Sequence, residues 1–479
     1  MFRVVSLAIA LLLPSLANAQ FRDATKQYGG IGGGKAAFAD YDGDGWVDLF
    51  NGRLLRNVNG KKFVHAKDAG VGGGEGIWGD YDNDGRPDLF LFVGGGALYR
   101  NKGGGKFDKV EFPKLPTVNS RGAVWLDFNN DARLDLYVGG YEIWTKAVHP
   151  DAAYLNLGKH QFKELWRSTK NFSARGVTAA DLNEDGKVDV YVSNYRLQPN
   201  FLYQFTKKGK QRTLTDVAAK LGAAGKPKQV IPYTGGIRYP VSGHTIGSSV
   251  GDMDDDGHID IFVGNFSHAA AYQDRPQFLR NKGPEGNYAF EDRSATAGLA
   301  WQESFASPTL GDYDNDGDLD LFFTTVYGGN HPVLYRNEGK WKFVNVTTPE
   351  KLAGLGATYQ AAWADVDNDG DLDLCSAGRL FINESQTKNS WVSLKLVGDG
   401  KRVNKSAIGA IARIKLGDRV LTRHVESGTG EGNQNDMRLH FGLKQHKKPV
   451  TVEISWPGIK AKQVIKLTKL NTVHKISVK

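Results

Sequence analysis

Short apolar segments recur along the chain, each cut off by an acidic, glycine-bearing loop and followed by a second apolar stretch of strand character. Residues 36–39, 77–79, 123–126 and 361–364 stand ahead of loops, and stretches such as 89–93 and 321–325 stand behind them. All are too short for helices, and they are rich in aromatic and β-branched side chains. A third segment follows as Leu54-Leu55-Arg56-Asn57, Leu98-Tyr99-Arg100-Asn101, Phe278-Leu279-Arg280-Asn281 and Leu334-Tyr335-Arg336-Asn337, and after a glycine turn a fourth begins near Phe63, Phe107, Phe162, Phe290 and Phe343. Four short strands per unit, repeating every 40 to 71 residues, predict the blades of a β-propeller.

The last repeat ends at Leu380-Phe381-Ile382-Asn383 without a fourth segment, whereas Phe21-Arg22-Asp23-Ala24-Thr25 precedes the first loop and resembles Phe290-Glu291-Asp292-Arg293-Ser294. The N-terminal segment is therefore expected to complete the last blade and close the ring, so that no long strand edge is exposed. The predicted fold is all-β: a seven-bladed β-propeller over residues 20–390, then a small β domain over residues 391–479, where alternation at 392–397, 411–416 and 450–456 predicts further strands. The longest spacing between loops contains residues 207–244, with Pro227, Pro232 and Pro240, and reads as an elaborated loop.

The loops carry the chemistry. Seven copies read D-x-(D/N)-x-D-(G/A)-x-x-D, which places oxygen-bearing side chains at alternate positions of a tight turn, the arrangement by which calcium collects six to eight oxygens. Positions 1, 3, 5 and 9 supply side chains and position 7 a backbone carbonyl. The candidate ligands are Asp40, Asp42, Asp44, Trp46 and Asp48; Asp80, Asp82, Asp84, Arg86 and Asp88; Asp127, Asn129, Asp131, Arg133 and Asp135; and Asp181, Asn183, Asp185, Lys187 and Asp189. The remaining three sets are Asp252, Asp254, Asp256, His258 and Asp260; Asp312, Asp314, Asp316, Asp318 and Asp320; and Asp365, Asp367, Asp369, Asp371 and Asp373. EF-hands are excluded, because position 12 is never glutamate and the flanks are strands. The loop at residues 127–135 is the weakest of the up to seven calcium sites, since Ala132 replaces the turn glycine and Asn129 removes a charge.

Cys375 is the only cysteine, so no internal disulfide can form. Residues 391–479 hold 18 lysines and arginines against 6 acidic residues, so the net charge of +8 belongs to the tail and acidic partners become plausible. Residues 1–19 have the layout of a secretory signal, with Arg3, an apolar core and Ala17-Asn18-Ala19. The apolar run is too short to span a membrane. Two nominal catalytic motifs fail on context: the GxSxG around Ser249 and the GxGxxG at residues 74–79 both enter strands rather than helices. No acid/base pair or zinc spacing stands out, so no catalytic residue is assigned.

Asp80-Tyr81-Asp82-Asn83-Asp84-Gly85-Arg86-Pro87-Asp88-Leu89 and its six relatives resemble the FG-GAP or VCBS calcium repeats, as in the propeller of integrin α subunits. The tail is similar to the ASPIC/UnbV domain at residues 391–398, Asn404, Ile408-Gly409-Ala410, Ser427-Gly428, residues 439–443 and Trp456-Pro457-Gly458. The resemblance implies a calcium-binding scaffold outside the cytoplasm, secreted or, in a Gram-negative cell, periplasmic or on the outer surface. It would bind an extracellular protein or an acidic glycan, with no nucleic acid, no membrane span and no enzymatic role. The alternative is a polysaccharide-cleaving enzyme on a calcium propeller, which would require Arg, Lys, His and Tyr gathered around the central channel.

Overall fold

A computed structural model describes residues 21–143, 146–208, 211–226, 230–232, 238–240, 242–269, 273–385 and 387–479. The expected signal at residues 1–19 lies outside them, as do residues 209–210, 227–229, 233–237 and 241 of the long excursion. Within that excursion Gln211–Asp216 is the outer strand of a sheet and Val230–Pro232 pairs with Arg238–Pro240, so part of the extra length is regular strand.

Among the described residues, seven four-stranded antiparallel meanders stand in a ring. Their inner strands, in chain order, are Ala37–Ala39, Gly76–Gly79, Ala123–Leu126, Ala174–Ala180, His244–Gly251, Phe305–Gly311 and Ala361–Ala364. Each touches the next, and the last touches the first. Closure is made as the sequence implies: Phe21–Asp23 pairs antiparallel with Arg379–Asn383, Phe21 opposite Asn383, and supplies the fourth strand of the seventh sheet. The inner strands are almost wholly buried because both faces meet neighbouring sheets, so they read as continuous apolar or small residues without alternation. Large rings fill the wedges between sheets: Trp78 stacks on Tyr41 at 6.1 Å, Trp125 on Tyr81 at 6.4 Å, and Trp363 meets Phe21 at 6.1 Å.

From Trp391 onward the chain forms two further sheets. In one, Trp391–Val397 lies between Leu439–Gly442, antiparallel, and Val473–Ser477, parallel; in the other the order is Arg419–His424, Ile411–Leu416, Val450–Ser455, Gln463–Leu467. Val392, Ile414, Phe441 and Ile454 share a continuous apolar core with Ile77 and Trp125 of the propeller, so the tail is packed onto the ring.

Residues 427–436 leave this domain and enter the channel, touching every inner strand. Ser427 Oγ donates to the Trp125 carbonyl (2.6 Å), Gly430 N to Ser248 O (2.8 Å) and Glu431 N to Ser307 Oγ (2.9 Å). Gln434 accepts from Trp78 N at 2.7 Å through its side chain and from Phe38 N at 3.1 Å through its carbonyl. Asn435 Oδ1 accepts from Trp363 N at 2.9 Å, and Glu431 pairs with Arg175. Ser427, Thr429, Glu431, Asn433 and Gln434 are each at most 1% exposed, so this polar segment survives burial because its groups find partners on the ring. Glycine makes the room: a Cβ on Gly247 would fall 2.4 Å from the Gly430 carbonyl carbon.

Candidate metal centres

Each acidic loop joins an inner strand to the next strand, so all seven lie on one face of the ring. Position 4 as well as position 6 is left-handed, as at Asn83 (φ 59°) and Gly85 (φ 91°), and the double reversal turns alternate side chains inward. Backbone donors then fix the carboxylates. Asp80 accepts from Asp84 N (3.0 Å) and Gly85 N (2.7 Å), and Asp88 from Tyr81 N (3.1 Å) and Asn101 N (2.7 Å). The sixth loop repeats this, with Asp312 accepting from Asp316 N and Gly317 N and Asp320 from Tyr313 N and Asn337 N. Ala132 takes φ 68° and donates to Asp127 Oδ2, so the third loop keeps the same backbone as the others despite lacking glycine.

In five loops three carboxylates present one oxygen each within 4.8 Å of one another: Asp40, Asp42, Asp48; Asp80, Asp82, Asp88; Asp252, Asp254, Asp260; Asp312, Asp314, Asp316; and Asp365, Asp367, Asp373. These clusters could hold a metal ion. The loops at 127–135 and 181–189 form no such triple because Asn129 and Asn183 occupy position 3. Position 5 does not converge in the first, second, fifth and seventh loops. Arg56, Arg100 and Arg280 from the third strand bridge positions 3 and 5, each pairing with both carboxylates: Asp42 and Asp44, Asp82 and Asp84, Asp254 and Asp256. Of the position 7 residues, His258 turns its ring to Glu184 of the preceding sheet at 2.8 Å, and Asp318 faces Arg419.

The donor set fits a hard cation. Asp40 Oδ1, Asp254 Oδ1, Asp365 Oδ1 and Asp367 Oδ1 are buried without a hydrogen-bond partner, as is Asn129 Oδ1, and all are oxygens. Burial first, and then neighbouring carboxylates, pushes the acids up: Asp48 to about 8, Asp88 to about 9, Asp80, Asp181 and Asp365 to about 7, and Asp373 well above the usual carboxylate range. A bound cation would remove that repulsion.

The recurring Asn that closes the third segment, which the sequence suggests only as strand, ties the loops together. Asn57 Nδ2 donates to Val47 O (3.0 Å) in its own loop and to Val366 O (2.8 Å) in the seventh, while its backbone N–H donates to Asp48 Oδ1 (2.7 Å). Asn101, Asn156, Asn281, Asn337 and Asn383 likewise reach Tyr41 O, Tyr81 O, Leu182 O, Met253 O and Tyr313 O in the preceding loops. In the fourth sheet Phe205 stands at this place, two residues past Tyr203 opposite Val190, and Gln204, where other sheets carry Arg56, Arg100, Arg280 and Arg336, reaches Asp189. The signal lies in the sequence as an Asn closing the third segment in six of the seven sheets; its meaning depends on the neighbouring blade.

Part of the basic tail's charge lies against the acidic loops of the same chain: Lys395 meets Asp40 (3.2 Å), Arg419 meets Asp255 (2.7 Å) and Asp318 (2.9 Å), Lys444 meets Asp316 (3.4 Å), and Arg413 meets Glu184 (2.9 Å). Oppositely charged surfaces of one chain satisfy each other when folding brings them together. Ser249 is buried in an inner strand with its hydroxyl 3.0 Å from Thr429 Oγ1, Gly76–Gly79 is a strand, and Cys375 is fully buried, its thiol pushed up by burial.

Fold and loops together define a β-propeller of acidic-loop repeats with an appended β domain. The FG-GAP-like repeat model matches residues 80–138, 252–323 and 312–376, and the ASPIC and UnbV model matches residues 400–479. The chain carries FG-GAP-like repeats followed by an ASPIC/UnbV domain. Its curated relatives include cartilage acidic protein 1 of Mus musculus, 23% identical over 354 residues (68% of this chain, 49% of the relative), and of Homo sapiens, 23% identical over 334 residues (64% and 45%). The chain thus spans about half the length of the curated relatives it matches. Among solved structures, the exotype rhamnogalacturonan lyase YesX is similar with TM-score 0.39 and 13% identity, covering 73% of this chain and 72% of that one. A putative oxidoreductase (glucose dehydrogenase) from Thermus thermophilus is similar with TM-score 0.34 and 15% identity, covering 69% and 99%.

Proposed function

We propose that the protein is an exported binding scaffold whose ring is stiffened by calcium in the acidic loops and whose uncovered face presents the ligand site, for an extracellular protein or an acidic glycan. The observation that carries this reading is the convergence of carboxylates in threes in five loops on one face, with Asp40, Asp254, Asp365 and Asp367 each keeping a buried oxygen without a partner. All-oxygen loops of this kind in extracellular modules bind calcium at about 0.1 to 1 mM, and a site at ten times its Kd adds about 1.4 kcal/mol to the folded state. Occupied sites would therefore act together as staples, and the scaffold would hold its shape only where calcium is abundant. The test is the melting temperature in calcium at about 2 mM, a few times such a Kd, against chelator; an unchanged melting point ends the calcium reading. Among the described residues no helix is long and apolar enough to cross a membrane.

The second reading, a polysaccharide-cleaving enzyme, gains support from one feature. The channel mouth opposite the metal loops gathers Lys35, Arg121, Arg175, Tyr141, Tyr195 and His244, drawn from several sheets. Incubating the protein with acidic polysaccharides and scoring new unsaturated ends separates cleavage from retention.

A further inference from the structure

The residues that precede or open the inner strands lie at the end of the channel away from the acidic loops, and the tail's two sheets sit on the loop side. That far mouth is floored by residues 430–432 and lined by charged and aromatic side chains. We propose that it is a binding site for a carboxylate-bearing sugar, a short uronate oligosaccharide, built jointly by the propeller and the inserted segment. The proposal deepens the scaffold reading by naming its ligand class.

The charges decide the ligand's sign and number. Arg175 is paired with Glu431 (Nε to Oε1, 2.7 Å), Lys35 with Glu75 (3.0 Å), and Arg196 with Glu142 (2.7 Å). Arg121 has no carboxylate partner among the described residues, and its Nε is buried without an acceptor. Its guanidinium lies over the Tyr141 ring at 5.4 Å, which fixes its plane. One uncompensated guanidinium, hemmed in by three ion pairs, suits one carboxylate held in a fork, with the other carboxylates of a short uronate left in solvent, whereas a tightly bound run of phosphates would call for several free cations.

The rings decide the rest of the ligand. Arg175 is clasped by Tyr141, Tyr195 and Tyr359 at 5.5, 5.3 and 4.9 Å, so these phenols are rigid, and Tyr195 and Tyr359 keep part of their surface open. Flat phenols with a polar rim suit the face of a pyranose, whose C–H bonds pack on the ring while its hydroxyls reach the surrounding polar groups. Glu431, wholly buried and delivered by the tail, closes the channel beneath and has one carboxylate oxygen without a partner. The site therefore has a floor only in the full chain.

The experiment is calorimetric titration of the full chain with trigalacturonate at fixed calcium, with galactotriose as the neutral counterpart. Trigalacturonate should bind and galactotriose should not. Arg121→Gln should weaken binding at least tenfold with an unchanged melting temperature, Tyr195→Ala should weaken it too, and Lys395→Ala on the opposite face should not. No heat at millimolar trigalacturonate, equal binding of the neutral sugar, or an unaffected Arg121→Gln each overturns the proposal. Melting the same samples in calcium and in chelator keeps the readings apart: a chelator-insensitive protein that still retains trigalacturonate loses the calcium scaffold and keeps this site.

Discussion

Replacing Asn57 by alanine should open the seam where the ring closes. The side chain is fully buried and makes three bonds: Nδ2 to Val47 O (3.0 Å), Nδ2 to Val366 O (2.8 Å), and Oδ1 from Gly60 N (3.0 Å). Val366 is 309 positions away, so the second bond joins the first blade to the last. Alanine leaves two carbonyls and one N–H buried without partners, at about 1 to 3 kcal/mol each, and water entering the vacated space recovers part, so the loss should be about 3 to 6 kcal/mol. An unfolding entropy of about 2.1 cal/mol/K per residue makes 1 kcal/mol worth about 1 °C for a chain of this length that unfolds as a unit. The melting temperature in calcium should therefore fall by about 3 to 6 °C, and Asn281→Ala, which removes the same three kinds of bond between the fourth and fifth loops, should fall similarly. A drop under about 1 °C for Asn57→Ala would show that the seam is held by something other than these bonds.

Three further outcomes follow from the same structure. Asp82→Ala removes one carboxylate of the second cluster, so the calcium-induced rise in melting temperature should shrink by roughly one site's share, about 1.4 kcal/mol at ten times Kd, while the chelator value moves less; equal shifts in both would count against a metal role. The folded-state values of Asp48, Asp80, Asp88 and Asp365 lie at about 7 to 9, above their unfolded value of 3.8, so the folded protein holds protons that the unfolded chain has released. In chelator, stability should thus be greatest at about pH 4 and fall as pH rises to about 9, and the gap between calcium and chelator should widen over that window; a chelator curve that climbs from pH 5 to 8 contradicts the burial argument. Glu431→Gln leaves Arg175 buried without its counter-charge and should cost about 3 to 5 kcal/mol, visible as a lowered denaturation midpoint and faster proteolysis of the tail; replacing both residues by apolar ones should restore much of it.

The acidic loops, their strand flanks and the ring closure are legible along the chain because they depend on local spacing: alternate carboxylates on a nine-residue turn, four short strands per period, and a missing segment at one end matched by a spare at the other. Asn57 and its counterparts are visible as a repeat, but not as clamps, since each needs a carbonyl from the adjacent blade. Residues 427–436, read alone, are a glycine-rich polar stretch like any solvent loop; only the ring of inner strands supplies the donors and acceptors that let it be buried. The tail's lysines and arginines announce a charged surface, yet which acids they meet is set by docking. Arg121, Arg175, Tyr195 and Tyr359 are far apart in the sequence with no common spacing, and they become neighbours because a closed ring carries the start of every inner strand to the same mouth. Local chemistry is written in sequence order, whereas contacts across the ring arise from closure, which no single repeat contains.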